Sequence, residues 1–194
     1  MPNHRLYHDL AHLWPLLSPP SDYQNEADHA LALFDAWFDS PEQLTLLDLG
    51  AGGGHLALHL HQAGHTVTAV DLAEPMLEQC RALVPGIETV RDDMRTARLT
   101  TPENQPRTFD AVLLTDAIDY MTTPDDAAAA VHTVAHHLRP GGLALIAPTY
   151  TRETFVSGST ESDTAPQAAR GLASDATPTQ PHLFSYVYDL DPQD

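Results

Sequence analysis

The chain has 194 residues, enough for one domain with a sizeable core, and 42% of them are hydrophobic, close to the globular norm. Its formal charge is −18 and all nine basic residues are arginines, a balance that repels phosphodiester backbones and argues against DNA or RNA as a partner. No apolar run reaches the roughly 18 residues of a membrane span, and no apolar stretch follows residues 1–5, so no membrane anchor or secretory leader is expected. Cys80 is the only cysteine, which rules out an internal disulfide and fits a cytoplasmic setting.

Residues 1–40 predict a helical lead-in. Tyr7, Leu10, Leu13 and Trp14 fall near one helical face before Pro15, and Ala30, Leu33, Phe34, Trp37 and Phe38 mark a second helix. His4, His8 and His12 recur every four residues and could share a face. No H-E-x-x-H pattern or nearby cysteine supports a metal, so none is expected; His8 or His12 could serve as a general base.

Residues 46–49 then read as a short apolar strand running straight into Gly50-Ala51-Gly52-Gly53-Gly54, with a helix opening at His55. A strand, a glycine turn and a helix N-terminus bring backbone N–H groups close to a ligand, which points to a nucleotide-like cofactor. The dinucleotide pattern G-x-G-x-x-G needs its third glycine at position 55, where His55 stands, so the nicotinamide or flavin fingerprint fails.

Residues 66–71 predict a second strand, β-branched and apolar, ending in Asp71. This acid lies about 20 residues after Gly50, the spacing at which a carboxylate meets a ribose in such folds. A helix follows from Pro75 to about Leu83, Pro85-Gly86 breaks it, and residues 87–91 form a third strand. Residues 109–114 are a fourth strand. At its carboxyl end, where parallel sheets open their crevices, stand Thr115, Asp116, Asp119 and Tyr120. Asp116 either orients and deprotonates an acceptor or caps the next helix. Thr123-Pro124-Asp125 starts a helix over 125–138, and Pro140-Gly141-Gly142 turns into a fifth strand. Residues 151–181 read as loop or lid, and 184–190 alternate as one last strand whose lone edge could pair with a second copy of the chain.

The spacing from Asp48 through Gly50, Gly52 and Gly54 resembles motif I of the class I S-adenosylmethionine-dependent methyltransferases. The neighbours agree: Asp71-Leu72 after the second strand, Asp93-Met94 after the third, Phe109-Asp110-Ala111-Val112, and Leu138-Arg139-Pro140-Gly141-Gly142. The resemblance covers residues 44–148. It implies an α/β fold, a doubly wound and mostly parallel Rossmann-like sheet with helices on both faces. Residues 1–40 would form a helical cover, 41–150 the cofactor-binding core, and 151–194 a loop or lid with one strand of an incomplete C-terminal hairpin. Gly53 departs from the family, which often carries Thr or Ser there, and Asp92 stands where Gly is common.

The resemblance also implies roles. Asp48, Gly50, Ala51, Gly52 and Gly54 would surround the amino-acid tail of S-adenosylmethionine, Asp71 would hold the ribose, and Leu72 would lie along the adenosine. Asp93 would bond the adenine amino group and Met94 would pack on the ring, with Met76 and Thr115 also at the cofactor. Asp116, His8 and Tyr23 are the candidate catalytic residues. The implied reaction is methyl transfer to an N or O atom of a small-molecule acceptor by in-line displacement. The pattern His8-Asp9, Asp22-Tyr23, residues 93–95 and Thr154-Phe155 is most similar to sugar-amine N,N-dimethyltransferases. The alternative is a non-catalytic binding or scaffold subunit that keeps the fold.

Overall fold

A computed structural model describes residues 5–39 and 41–149. Five strands, β1 (Thr45–Leu49), β2 (Thr66–Asp71), β3 (Glu88–Arg91), β4 (Phe109–Leu114) and β5 (Leu138–Ile146), form one sheet in the order β3-β2-β1-β4-β5. Every pairing is parallel. The strand order reverses between β1 and β4, and a parallel sheet opens its ligand crevice at the carboxyl ends beside such a reversal.

Burial explains why these strands are nearly all apolar. Successive side chains point to opposite faces, and both faces are covered. Leu46 packs with Ala27, Ala30 and Phe34 of α2 (Gln24–Phe38), Leu56, Ala57 and Leu60 of α3 (His55–Gln62), and Cys80 of α4 (Glu74–Leu83). One residue on, Leu47 meets the other face with Ala97, Leu99, and Ala130 and Val134 of α5 (Pro124–His137). Both leucines are fully buried. Truncating either to alanine would cost about 2–5 kcal/mol by the usual cavity rule.

Two ends depart from the sequence expectation. The lead-in is a set of short turns at Arg5–Tyr7, Ala11–Leu13, Trp14–Leu17 (α1) and Pro20–Tyr23, the last running directly into α2. Pro15 therefore sits in the first turn of a helix, where its missing N–H costs nothing. The broken lead-in gives His8 and His12 no common helical face; His4 lies outside the described residues. The Pro-Gly-Gly turn lies inside β5: Phe109 pairs Leu138, then the register shifts and Ala111 pairs Leu143. The helix over 125–138 begins instead at Pro124 and ends at His137, with the Thr123 hydroxyl accepting from Asp126 N–H as its cap.

No helix follows β3. The segment up to β4 is pinned from inside by His137, which has no exposed surface. Its Nδ1 lies 2.7 Å from Arg107 O and its Nε2 lies 3.3 Å from Leu99 N. The tautomer with hydrogen on Nδ1 satisfies both contacts. Among the described residues no helix is long and apolar enough to cross a membrane. The expected lid, the strand over 184–190 and any dimer built on it lie outside the described residues.

Candidate functional site

The glycine loop between β1 and α3 is held open by backbone geometry that only glycine adopts freely. Gly50, Gly52 and Gly54 have φ of 81°, 53° and 78°. Space is as short as conformation: a Cβ on Gly54 would lie 2.4 Å from Cys80 Sγ, and one on Gly50 would lie 2.2 Å from Ala117 Cβ. The second contact brings the loop against the segment that follows β4, closing the floor of the crevice. Gly53 faces Trp14, whose Cδ1 would stand 3.0 Å from an added Cβ. The indole thus occupies room that a Thr or Ser would need.

The loop amides are not bare, contrary to what the sequence pattern suggested. Gly50 and Ala51 donate to Val70 O at 2.8 and 3.0 Å, and Gly54 donates to Ala51 O at 2.9 Å. Gly52 donates to Asp71 Oδ2 at 2.9 Å. These amides fasten the loop to β2, so the loop acts as a rigid floor. Asp71 Oδ1 accepts from Ala73 N–H at 2.8 Å. Each Asp71 oxygen keeps a further lone pair, the group a ribose hydroxyl would use.

Asp48, at 3% exposure, is the most buried carboxylate of the site. Burial, then Glu26 and Asp71, push it up to about 7. Glu26 on α2 is pushed up to about 7 by burial and by Asp116, while a hydrogen bond with Thr115 opposes the shift. One carboxylate oxygen, Oε1, is buried without a hydrogen-bond partner. Asp71 and Asp116 are raised as well, in each case chiefly by burial. Four carboxyl groups therefore come together near the carboxyl ends of β1, β2 and β4, with no cation between them among the described residues. Each of the seven described arginines is committed to other protein acceptors.

The other expected residues divide. Tyr23 stands beside this cluster: its hydroxyl meets Ser18 Oγ at 3.1 Å, and burial, Asp116 and Glu26 raise it. Thr115 and Asp116 follow β4, and Asp116 Oδ1 accepts from the Thr149 hydroxyl at 3.1 Å, not from a helix N-terminus. His8 is exposed. Its neighbour Tyr7 reaches over the site instead, bonding the Tyr120 hydroxyl, stacking edge-on to Trp14 at 5.6 Å and sensing Asp71. Both oxygens of Asp93 are taken by Arg95, which also pairs with Asp126 at 2.7 Å. Met94 places its Cε 3.4 Å from a Cβ built on Gly50, and Leu72 is 43% exposed. Met76 is only 1% exposed and packs with Ala11 and Ala73, so it props Gly52 from behind rather than facing the crevice. Glu26 and Tyr7 were missed. Each is brought to the site by the cover's packing, which no local pattern announces.

A family model described as a methyltransferase domain matches residues 46–142, from β1 into β5 and through the glycine loop. The chain belongs to this family. The methyltransferase domain is 32% identical over 154 residues to the dTDP-3-amino-3,4,6-trideoxy-alpha-D-glucopyranose N,N-dimethyltransferase of Streptomyces venezuelae, covering 78% of this chain and 61% of the relative. Its fold matches the crystal structure of DesVI from Streptomyces venezuelae with a TM-score of 0.63 at 30% identity, over 77% of this chain and 60% of the other. It also matches CalS10, an amino pentose methyltransferase from Micromonospora echinaspora bound to S-adenosylmethionine, with a TM-score of 0.61 at 31% identity, over 70% and 55%. This methyltransferase domain thus spans about three fifths of the length of these relatives.

Proposed function

We propose that this chain binds S-adenosylmethionine and transfers its methyl group to the nitrogen of a small-molecule amine. The observation that carries the reading is the gathering of Glu26, Asp48, Asp71 and Asp116 around a rigid glycine loop, with no described arginine among them. The residues fit the donor. Its sulfonium and the α-ammonium of its zwitterionic tail are cationic, and Glu26 Oε1 is a buried acceptor with no donor among the described residues. Asp71 would take the ribose hydroxyls, Leu72 and Met94 would flank the adenosine, and Asp48 with the loop would sit under the tail.

S-adenosylmethionine supplies a methyl group already activated on sulfur, so the chain's task is alignment and the exclusion of water. An amine that arrives protonated must lose that proton before its lone pair can attack carbon. Asp116 stands at the strand end where such a proton would go, and its raised affinity for protons suits it to take one. An acidic pocket also draws an ammonium acceptor and disfavours a phenolate. The amino-sugar relatives support the amine choice.

The test is tritium transfer from labelled donor to a panel of amino sugars, simple amines and phenols. Turnover of amines with phenols inert is the expected outcome. Turnover of phenols alone would replace the amine with oxygen as acceptor, and donor binding without turnover of any kind would remove the enzymatic reading.

A further inference from the structure

Glu26 lies on α2, outside every motif that marks the glycine loop, yet the packing of Ala27, Ala30 and Phe34 against the sheet and α3 carries it to the crevice. Thr115 at the end of β4 is close enough to lower the proton affinity of its carboxyl group. One oxygen, Oε1, is buried and has no hydrogen-bond partner among the described residues. A buried carboxylate oxygen without a donor is costly, and sites that keep one usually complete it with a ligand.

We infer that Glu26 is the residue that binds the α-ammonium group of the methyl donor's amino-acid tail. This inference rests on the S-adenosylmethionine reading above and names the contact within it. Three considerations select the ammonium. First, the orphaned atom accepts hydrogen bonds, and of the donor's two cationic centres only the ammonium carries N–H groups; a sulfonium has none. Second, Glu26 is the leading charge acting on Asp48, the residue just ahead of the glycine turn, so the two carboxyl groups are near enough to feel each other there. Third, Glu26 is half-buried with one oxygen wholly enclosed beside Thr115, whereas Asp116, one residue farther on, is exposed and tied to the Thr149 hydroxyl. Two carboxylates thus serve two amines: Glu26 the donor's, Asp116 the acceptor's. Burial and Asp116 keep the Glu26 carboxyl near neutral affinity for its proton, so an ammonium ligand would draw it fully into the ionised form.

The experiment compares two probes on the full chain by calorimetry. S-adenosylhomocysteine carries the α-ammonium; 5′-methylthioadenosine has the same nucleoside and lacks the amino-acid tail. Glu26→Gln should weaken S-adenosylhomocysteine by roughly tenfold or more, the scale of a charge-assisted hydrogen bond, and leave 5′-methylthioadenosine unchanged. Thr115→Val, which frees the Glu26 head without removing charge, should show the same selectivity at smaller size. Equal losses for both probes in both variants would mean that Glu26 merely shapes the fold. An unchanged S-adenosylhomocysteine affinity in Glu26→Gln, with lost turnover of amines, would hand Glu26 to the acceptor. Failure of the unmodified chain to bind S-adenosylhomocysteine at all would defeat the cofactor reading itself.

Discussion

The backbone amide of Gly52 donates to the carboxylate of Asp71 across 2.9 Å, so the acid that ends β2 braces the loop that follows β1. One side chain thereby couples the shape of the loop to the end of β2 and to the turn at Ala73. Asp71→Asn must present an NH2 group to one of two amides, Gly52 or Ala73, and lose that bond. The expected cost is about 1–3 kcal/mol of stability by urea denaturation, with S-adenosylhomocysteine binding weakened at least roughly tenfold. Full binding in a destabilised variant would assign Asp71 to the loop alone.

Gly54 and Cys80 form a second coupled pair. An alanine at Gly54 must accept φ near 78° and place its Cβ 2.4 Å from Cys80 Sγ. The left-handed backbone costs about 1–2 kcal/mol and the overlap about 1–3 kcal/mol more. Cys80→Ala removes the sulfur, so in the double variant the overlap is relieved while the backbone cost remains. Denaturation of the four proteins should therefore show a favourable coupling. Strict additivity would mean that α4 shifts to avoid the contact.

Two carboxyl groups raised to about 7 leave a signature in pH. Glu26 and Asp48 ordinarily titrate near 4.5 and 3.8, so between about pH 4 and 7 the folded chain holds protons that the unfolded chain has released. Stability supplied by these groups is then present at low pH and falls as pH rises through about 7. Buried His55 and His65, whose proton affinity is lowered by burial, act in the opposite direction below pH 6.5. The clean observable is a difference: Glu26→Gln should gain melting temperature over the unmodified chain as pH rises from 5 to 7.5. A constant difference across that range would place the Glu26 carboxyl in water.

The parts of this molecule that could be read from the chain are those whose cause is local. Continuous apolar and β-branched runs gave away β1, β2 and β4, which are buried along nearly their whole length, and three glycines at 50, 52 and 54 announced backbone that other residues resist. The lead-in was read too smoothly, because Pro15 and Pro20 convert a helical hydrophobic pattern into short turns. Glu26 belongs to no sequence motif; only the packing of α2 against the sheet brings it to Thr115 and Asp116 at the end of β4. The Tyr7 and Tyr120 hydroxyls meet across 113 positions of sequence, a contact that no spacing rule could foresee. Met76 is buried beside Gly52, a placement that its position in the sequence motif does not by itself specify.

His137 illustrates how a polar group can replace a missing helix. With no helix after β3, its imidazole ties Leu99 N–H and Arg107 O to the end of α5. His137→Leu has similar bulk but leaves both backbone groups unsatisfied in a dry interior. The expected loss is about 2–4 kcal/mol by urea denaturation, above that of an ordinary surface change. His137→Gln, which can both donate and accept, should recover part of it; equal losses in the two variants would mean that packing, not hydrogen bonding, decides.

Asp116 can be separated from the donor site by kinetics. It lies at the carboxyl end of β4, is raised chiefly by burial, and is tied to Thr149 rather than to the glycine loop. Asp116→Asn keeps the shape and removes the proton acceptor. Methyl transfer to an amine should fall by about 10²-fold or more, the usual contribution of a positioned base, while S-adenosylhomocysteine affinity stays within about twofold. The unmodified enzyme's rate should rise with pH as Asp116 ionises, through a midpoint above the ordinary carboxylate range, and the variant should lack that limb. A variant that loses donor affinity in step with its rate would instead place Asp116 at the sulfonium, as a charge that steadies the donor before transfer.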